Sequence, residues 1–302
     1  MKSIISWAAL GLLTSMSVHA ANVTIEHQMG KTTLPQNPQR VVVIGVGPLD
    51  AVDYFGINPV AVSKVAELPD YLAKYRGDDY APAGSLFEPD FERIFMQKPD
   101  LIITGPRAAR TAYDELNKIA PTVVFAVDDN QPYWQSTQAQ WRNLGKIFAI
   151  EDKVEEKIVQ LDKKFSEVKA YNQQHQAQAM TVMSFGGNIT TFGAHSRFAA
   201  IYNDFGFNEA IQVKKTANHG NLVSYEYIRQ NNPQILFIID RDKLVNKGES
   251  HTREEFENPL IKGTDAYQQN RIVFLDLNAW YLSIAGVTAT EQMLRDMQVS
   301  LH

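Results

Sequence analysis

Residues 151–176 carry Val154, Ile158, Leu161, Phe165, Val168 and Tyr171 at steps of three and four, with charged residues between them and no glycine or proline. That spacing lines the apolar side chains along one stripe of an α-helix of about seven turns. The stretch divides a series of short β-branched runs into two groups. Residues 41–44, 60–62, 101–103 and 123–127 precede it, and residues 181–185, 235–239 and 272–275 follow it. Several runs come after a proline or end at Gly or Asp, and helix-like segments fill the spaces between them, which is the pattern of parallel α/β units. The expected fold class is α/β, with two Rossmann-like lobes of mostly parallel sheet joined by one long helix. The lobes are expected at 22–150 and 177–302, with the connecting helix at 151–176. At 302 residues and 44% hydrophobic content, the chain is long enough for a core in each lobe.

The first residues read as an export signal, 1–21. Met1 and Lys2 give a basic start, residues 4–18 are nearly all apolar or small, and Val18, His19 and Ala20 close the segment. The apolar run is short for a membrane span, so cleavage after Ala20 or Ala21 is expected. The sequence contains no cysteine. It therefore has no disulfide and no cysteine to take a lipid anchor. A free periplasmic protein, monomeric and not embedded in the membrane, is the expected mature form. The formal net charge of -5 argues against a nucleic-acid partner. A local arginine pocket for an anion remains compatible with it.

The two halves share an offset. Glu92 stands seven residues before Pro99, and Arg107 eight after it; Glu226 stands seven before Pro233, and Arg241 eight after it. In each half the proline stops a helix, a strand follows, and an arginine emerges at the strand's carboxyl end, where α/β sheets bind ligands. Arg107 and Arg241 are thus expected to approach one cleft from opposite sides, and the glutamates to lie on the far surface of the lobes. Arg197 follows a strand and turn, His219 sits in a polar loop, and Trp280 and Tyr281 follow the strand ending at Asp276. Tyr133 and Trp134 follow the strand ending near Asp128 in the same way, which fits either the cleft wall or core packing. His195 is read as a turn histidine bonded to backbone.

Gly193-Ala194-His195-Ser196-Arg197-Phe198, Asn218-His219-Gly220, Ile239-Asp240-Arg241 and Trp280-Tyr281-Leu282 together resemble the periplasmic ferric-catecholate-siderophore binding proteins, the class III substrate-binding proteins of iron-siderophore ABC importers. The resemblance implies that Arg107, Arg197, Arg241 and Trp280 bind the ligand, with Arg110 as the other candidate beside Arg107. Three arginines would match the negative charge of a ferric tris-catecholate with rigid, fork-shaped donors. It implies that His219 and Tyr281 complete the shell of Fe(III), a hard ion suited to phenolate oxygen, when the siderophore fills only four positions. It implies that Glu92 and Glu226 dock onto an inner-membrane ABC permease. The Fe(III)-siderophore complex enters as ligand, with no permanently bound cofactor. Cobalamin, haem or a hydroxamate siderophore on the same scaffold is the alternative, although an uncharged hydroxamate complex does not call for three arginines. An enzyme is not expected. The sequence has no Gly-x-Ser-x-Gly or His-Glu-x-x-His, and Gly45-Val46-Gly47-Pro48 lacks the third glycine of a nucleotide loop, which leaves a secreted hydrolase using His219 as base the weaker reading.

Overall fold

The computed structural model describes residues 21–128, 130–213, 220–246 and 249–299, so all of the expected export segment except Ala21 lies outside the described residues. The described chain opens with an antiparallel hairpin, β1 (Asn22–His27) and β2 (Gly30–Pro35), absent from the strand series read in the sequence. There follow β3 (Val41–Ile44), α1 (Val46–Phe55), β4 (Ala61–Val62), β5 (Ala81–Pro82), α2 (Phe91–Met96), β6 (Leu101–Thr104), α3 (Pro106–Ile119), β7 (Thr122–Val124) and α4 (Tyr133–Phe148). The long helix is α5 (Glu151–Gln174). The second half holds β8 (Gln178–Phe185), β9 (Asn188–Phe192), α6 (Ala200–Asn203), β10 (Asn208–Glu209), β11 (Asn221–Val223), α7 (Tyr225–Asn231) and β12 (Ile235–Asp240). Four single-turn helices, α8 (Asp242–Val245), α9 (Thr252–Glu255), α10 (Pro259–Lys262) and α11 (Asp265–Gln268), lead to β13 (Ile272–Phe274) and the last helix, α12 (Val287–Val299).

The first lobe is built on a wholly parallel sheet in the order β5-β4-β3-β6-β7. The second sheet is mixed, in the order β11-β9-β8-β12-β13 with β10 beside the start of β8. There β8, β12 and β13 are parallel, while β9 folds back on β8 through Gly186 and Gly187, both at positive φ, as a two-residue hairpin turn requires. β3, β6 and β12 are buried at every position, because helices cover both faces of a parallel sheet.

Each lobe has a buried apolar cluster of its own, and the two lobes also share one. One buried apolar cluster runs from Ile25 through α4 and α5 to Met297. Its spine is aromatic: Trp134 stacks on Phe165 at 4.6 Å, Phe165 stacks on Phe205 at 4.8 Å, and Phe205 meets Trp280 at 6.0 Å. Helix α12 is also not confined to the second lobe. It packs on α1 and α5, and Lys157 of α5 pairs with Glu291 of α12 in a largely buried ion pair.

The segment entering α12 is pinned by the first lobe. Asp50, wholly buried in α1, accepts hydrogen bonds from the backbone N–H groups of Thr288 and Ala289, both at 2.9 Å, and from the Tyr71 hydroxyl at 2.7 Å. The two amides are free donors at a helix N-terminus, where a carboxylate is favoured. Gly47 and Gly286 permit the close approach: a Cβ on Gly47 would strike the Ile284 carbonyl, and one on Gly286 would strike the Asp50 carboxylate. From α4, Trp141 donates to the Ala285 carbonyl at 2.7 Å, and the Ala285 N–H donates to the Tyr133 hydroxyl at 3.2 Å. Tyr133 and Trp134 are therefore packing residues and not cleft wall.

Burial pushes the Asp50 carboxyl up to about 6 despite its three donors. A raised native pKa means that the charged form is the costly one. This group should therefore add stability as pH falls through about 6, an effect complete below its unfolded value of about 3.9 and worth up to ~3 kcal/mol. Urea unfolding of wild type and Asp50→Asn between pH 8 and pH 4 should show this component in the wild type alone. Parallel pH profiles of the two proteins would refute it.

Candidate functional site

At the carboxyl ends of the two sheets, three guanidinium groups surround one phenol ring. The Cζ atoms of Arg197, Arg241 and Arg107 lie 4.0, 5.6 and 5.9 Å from the ring centroid of Tyr281. Each also stands over a phenylalanine: Arg107 over Phe87 at 5.5 Å, Arg241 over Phe185 at 4.2 Å and Arg197 over Phe198 at 5.4 Å. Cations over aromatic faces are attracted by the ring quadrupole, which holds the flexible arginine stems in place.

Local structure explains each placement. Arg107 lies in the first turn of α3, after Pro106, at the helix end that disfavours a cation. Arg110, one turn further on, is exposed, and only Arg107 reaches the Tyr281 ring. Arg241 continues the β12–β8 pairing by donating its N–H to the Ser184 carbonyl at 3.0 Å. Asp240 before it accepts from the Ser250 and Thr252 hydroxyls at 2.9 and 3.0 Å, and at Arg241 the chain leaves the strand in helical conformation as the residue before α8. Arg197 sits in the turn before α6. The turn is fixed by Ser196 donating to the Gly193 carbonyl at 2.7 Å and by buried Phe198, which packs edge-on against Phe192.

Among the described residues, none of these three arginines is ion-paired with a carboxylate. The Arg107 guanidinium is held below its ordinary value, chiefly by burial. Tyr281 acts in the opposite direction, while the like charges of Arg197, Arg241 and Arg110 lower it further. The result is an uncompensated, partly desolvated positive cluster on a chain of net charge -5. Beside Asp240 and Asn278 lies a polar recess of about 370 Å³ lined from both lobes, by Glu67 of the first and by Lys243, Asp276 and Asn278 of the second.

Tyr281 belongs to a π-helical turn, Asn278–Leu282, closed by the Ser283 N–H donating to the Asn278 carbonyl at 2.7 Å. Such turns are rare and tend to mark functional sites. Residues 41–279 match the family described as periplasmic binding protein. The chain belongs to that family. It is 62% identical to the periplasmic catecholate-siderophore binding protein VctP from Vibrio cholerae, with a TM-score of 0.90 over 93% of this chain and 100% of VctP. It is 36% identical to the petrobactin-binding protein YclQ of Bacillus subtilis over 93% of this chain and 88% of YclQ. The ferric-anguibactin-binding protein FatB of Vibrio anguillarum is 31% identical, over 91% and 86% of the two chains.

In this periplasmic binding protein, Trp280 does not stand in the cleft as the sequence led us to expect. It is 2% exposed, ends the aromatic spine, and donates its Nε1–H to Asp296 at 2.7 Å. Neighbouring residues of a helical turn point to different sides, so burying Trp280 turns Tyr281 toward the arginines. His219 lies outside the described residues.

Glu92 and Glu226 are exposed in the first turns of α2 and α7, capped by Asp90 and Ser224. They lie toward the cleft edge and not on the far surface. β5 runs parallel with β6 through β4 and β3, and α2 opens after the carboxyl end of β5, the edge where Arg107 emerges. β11, antiparallel to β9, runs with β8 and β12, so α7 also opens on the edge that carries Arg241. The helices return toward the prolines at the opposite edge, a reversal that the offset pattern does not reveal.

Sequence reading missed Phe87 and Phe185. The available signal was position, since each follows or ends a strand at the edge that carries the arginines.

Removing one charge from an unpaired cluster should relieve repulsion. Arg107→Met, which keeps an apolar stem, should melt about 1–3 °C above wild type in the ligand-free state at low ionic strength, with the gap closing in ~0.5 M salt. A lower melting temperature at low salt, measured by calorimetry, would show that the cluster is not under electrostatic strain.

Proposed function

We propose that this protein captures a ferric catecholate siderophore in the periplasm and delivers it to an ABC permease of the inner membrane. One observation carries the reading: Arg107, Arg197 and Arg241, from both lobes, converge on Tyr281 without acidic partners among the described residues. A cluster of this kind costs stability when empty and gains from a multiply negative guest. Guanidinium forks donate in-plane to adjacent catecholate oxygens, a geometry that lysine ammonium groups do not reproduce. VctP and YclQ, with their named siderophore ligands, support the same assignment.

Tyr281 and His219 would serve as direct iron donors when the siderophore is a bis-catecholate, and would be spectators when a tris-catecholate saturates the metal. The cargo enters and leaves as an intact complex, so no bond-making catalyst is required. A stiff connecting helix in place of flexible crossover strands favours small lobe motions. The mature protein would begin after Ala20 or Ala21. Among the described residues no helix is long and apolar enough to cross a membrane.

Visible spectroscopy tests iron ligation. Adding protein to a ferric linear bis-catecholate should shift the catecholate-to-iron band, whereas ferric enterobactin should bind with little shift. Tyr281→Phe with His219→Ala should abolish the shift and weaken the bis-catecholate by about 10-fold or more, with a much smaller effect on enterobactin. Equal losses for both ligands would exclude direct ligation, and calorimetry showing no binding of either complex would overturn the functional reading.

Glu92 and Glu226 would meet basic residues of the permease on either side of the cleft mouth, acting more on orientation and encounter rate than on affinity. Glu92→Ala with Glu226→Ala should leave siderophore affinity unchanged while slowing uptake into vesicles that carry the permease. Unimpaired uptake would remove them from the docking surface.

A further inference from the structure

We infer that Phe87 and Phe185 form an aryl clamp, one ring from each lobe, that selects siderophores whose iron-binding arms end in aromatic rings. The inference rests on the capture function proposed above and adds what chooses among anionic ferric complexes. Arginine forks alone recognise negative oxygens, and would serve a ferric carboxylate as well as a ferric catecholate.

Phe87 is 60% exposed, yet it is not loosely held. Its turn is closed by the Ser85 N–H donating to the Glu88 carbonyl at 2.9 Å. The Ser85 hydroxyl accepts from the N–H groups of Phe87 and Glu88 at 3.2 and 3.0 Å. Gly84, at φ 92, brings the backbone so close to Glu88 and Asp90 that a Cβ there would collide with both. This tight turn presents a large apolar ring to solvent directly beneath the Arg107 guanidinium. Across the cleft, Phe185 ends β8 next to Ser184, the residue paired with Asp240, and lies beneath Arg241.

Fork and ring therefore occur side by side twice, on opposite walls of the Tyr281 cluster. A catecholate has the complementary pattern, two anionic oxygens on the edge of a flat arene. With its oxygens on the fork, its ring meets an aromatic surface in offset or edge-on packing. A ferric citrate satisfies the forks and leaves the phenyl rings in water.

Phe87 is the better probe, because an exposed turn residue contributes little to stability. Calorimetry with ferric enterobactin and ferric dicitrate on the full protein supplies the test. Wild type should prefer enterobactin. Phe87→Leu, apolar but not aromatic, should weaken enterobactin about tenfold, and Phe87→Tyr should stay near wild type. The clamp is overturned, with the capture function intact, if wild type binds enterobactin and Phe87→Leu binds it equally well. It is likewise overturned if wild type binds ferric dicitrate as tightly as enterobactin. A wild-type protein that binds no catecholate defeats the underlying function and the clamp together.

Discussion

Residues 276–289 are held from both sides by hydrogen bonds that burial makes strong, and the cluster of arginines around Tyr281 depends on this double fixation. On one side Asp296 accepts from the Trp280 indole and from the Asp276 N–H, and the Asp276 carboxylate accepts from the Ala279 N–H. On the other side Asp50, Trp141 and Tyr133 of the first lobe hold the backbone from Ala285 to Ala289. Between these anchors the π-helical turn has little freedom, and Tyr281 becomes the fixed point around which arginines from both lobes assemble. Because one of the two anchors belongs to each lobe, the cleft geometry is tied to the relation between the lobes themselves.

That relation is maintained by packing. The aromatic spine from Trp134 to Trp280 passes through Phe165 of the connecting helix, so α5 is a structural member of the shared core as well as a link. Helix α12 adds a second crossing, fastened by Asp50 and by the Lys157–Glu291 pair. Two crossings and a continuous core oppose large hinge motion, since packed interiors deform little without losing contacts. An open cleft that stays nearly preformed reduces the ordering cost of taking up a rigid metal complex.

The electrostatics divide by location. The chain as a whole is acidic, yet the cleft gathers three guanidinium groups, and burial and the like charges beside it both disfavour that of Arg107. Glu92 and Glu226 stand toward the same edge, outside the cluster, and are not paired with its arginines. In the proposed function, a positive interior with negative residues at its rim would let the anion and a basic docking partner approach the same face without competing for the same side chains.

Much of this was legible in the residues. The unbroken three-and-four spacing of 151–176 matched the long helix to within two residues, and the β-branched runs located β3, β4, β6, β7, β8, β12 and β13 but not β1, β2, β5, β10 or β11, because periodicity and composition record local burial. The matched Glu, Pro and Arg offsets identified Arg107 and Arg241 as strand-end residues, which the topology bears out. What the sequence could not decide was direction in space. Trp280 and Tyr281 are adjacent, and which of them faces the cleft depends on Phe205 and Asp296, partners distant in the chain. Likewise, Glu92 was assigned to the wrong edge because the offsets give distance along the chain and not the reversal of α2 between β5 and β6. The sequence determined the α/β class, the long helix and the chemistry of the arginines; only tertiary packing decided which side chains meet, since rotation about a turn is set by contacts that no local pattern encodes.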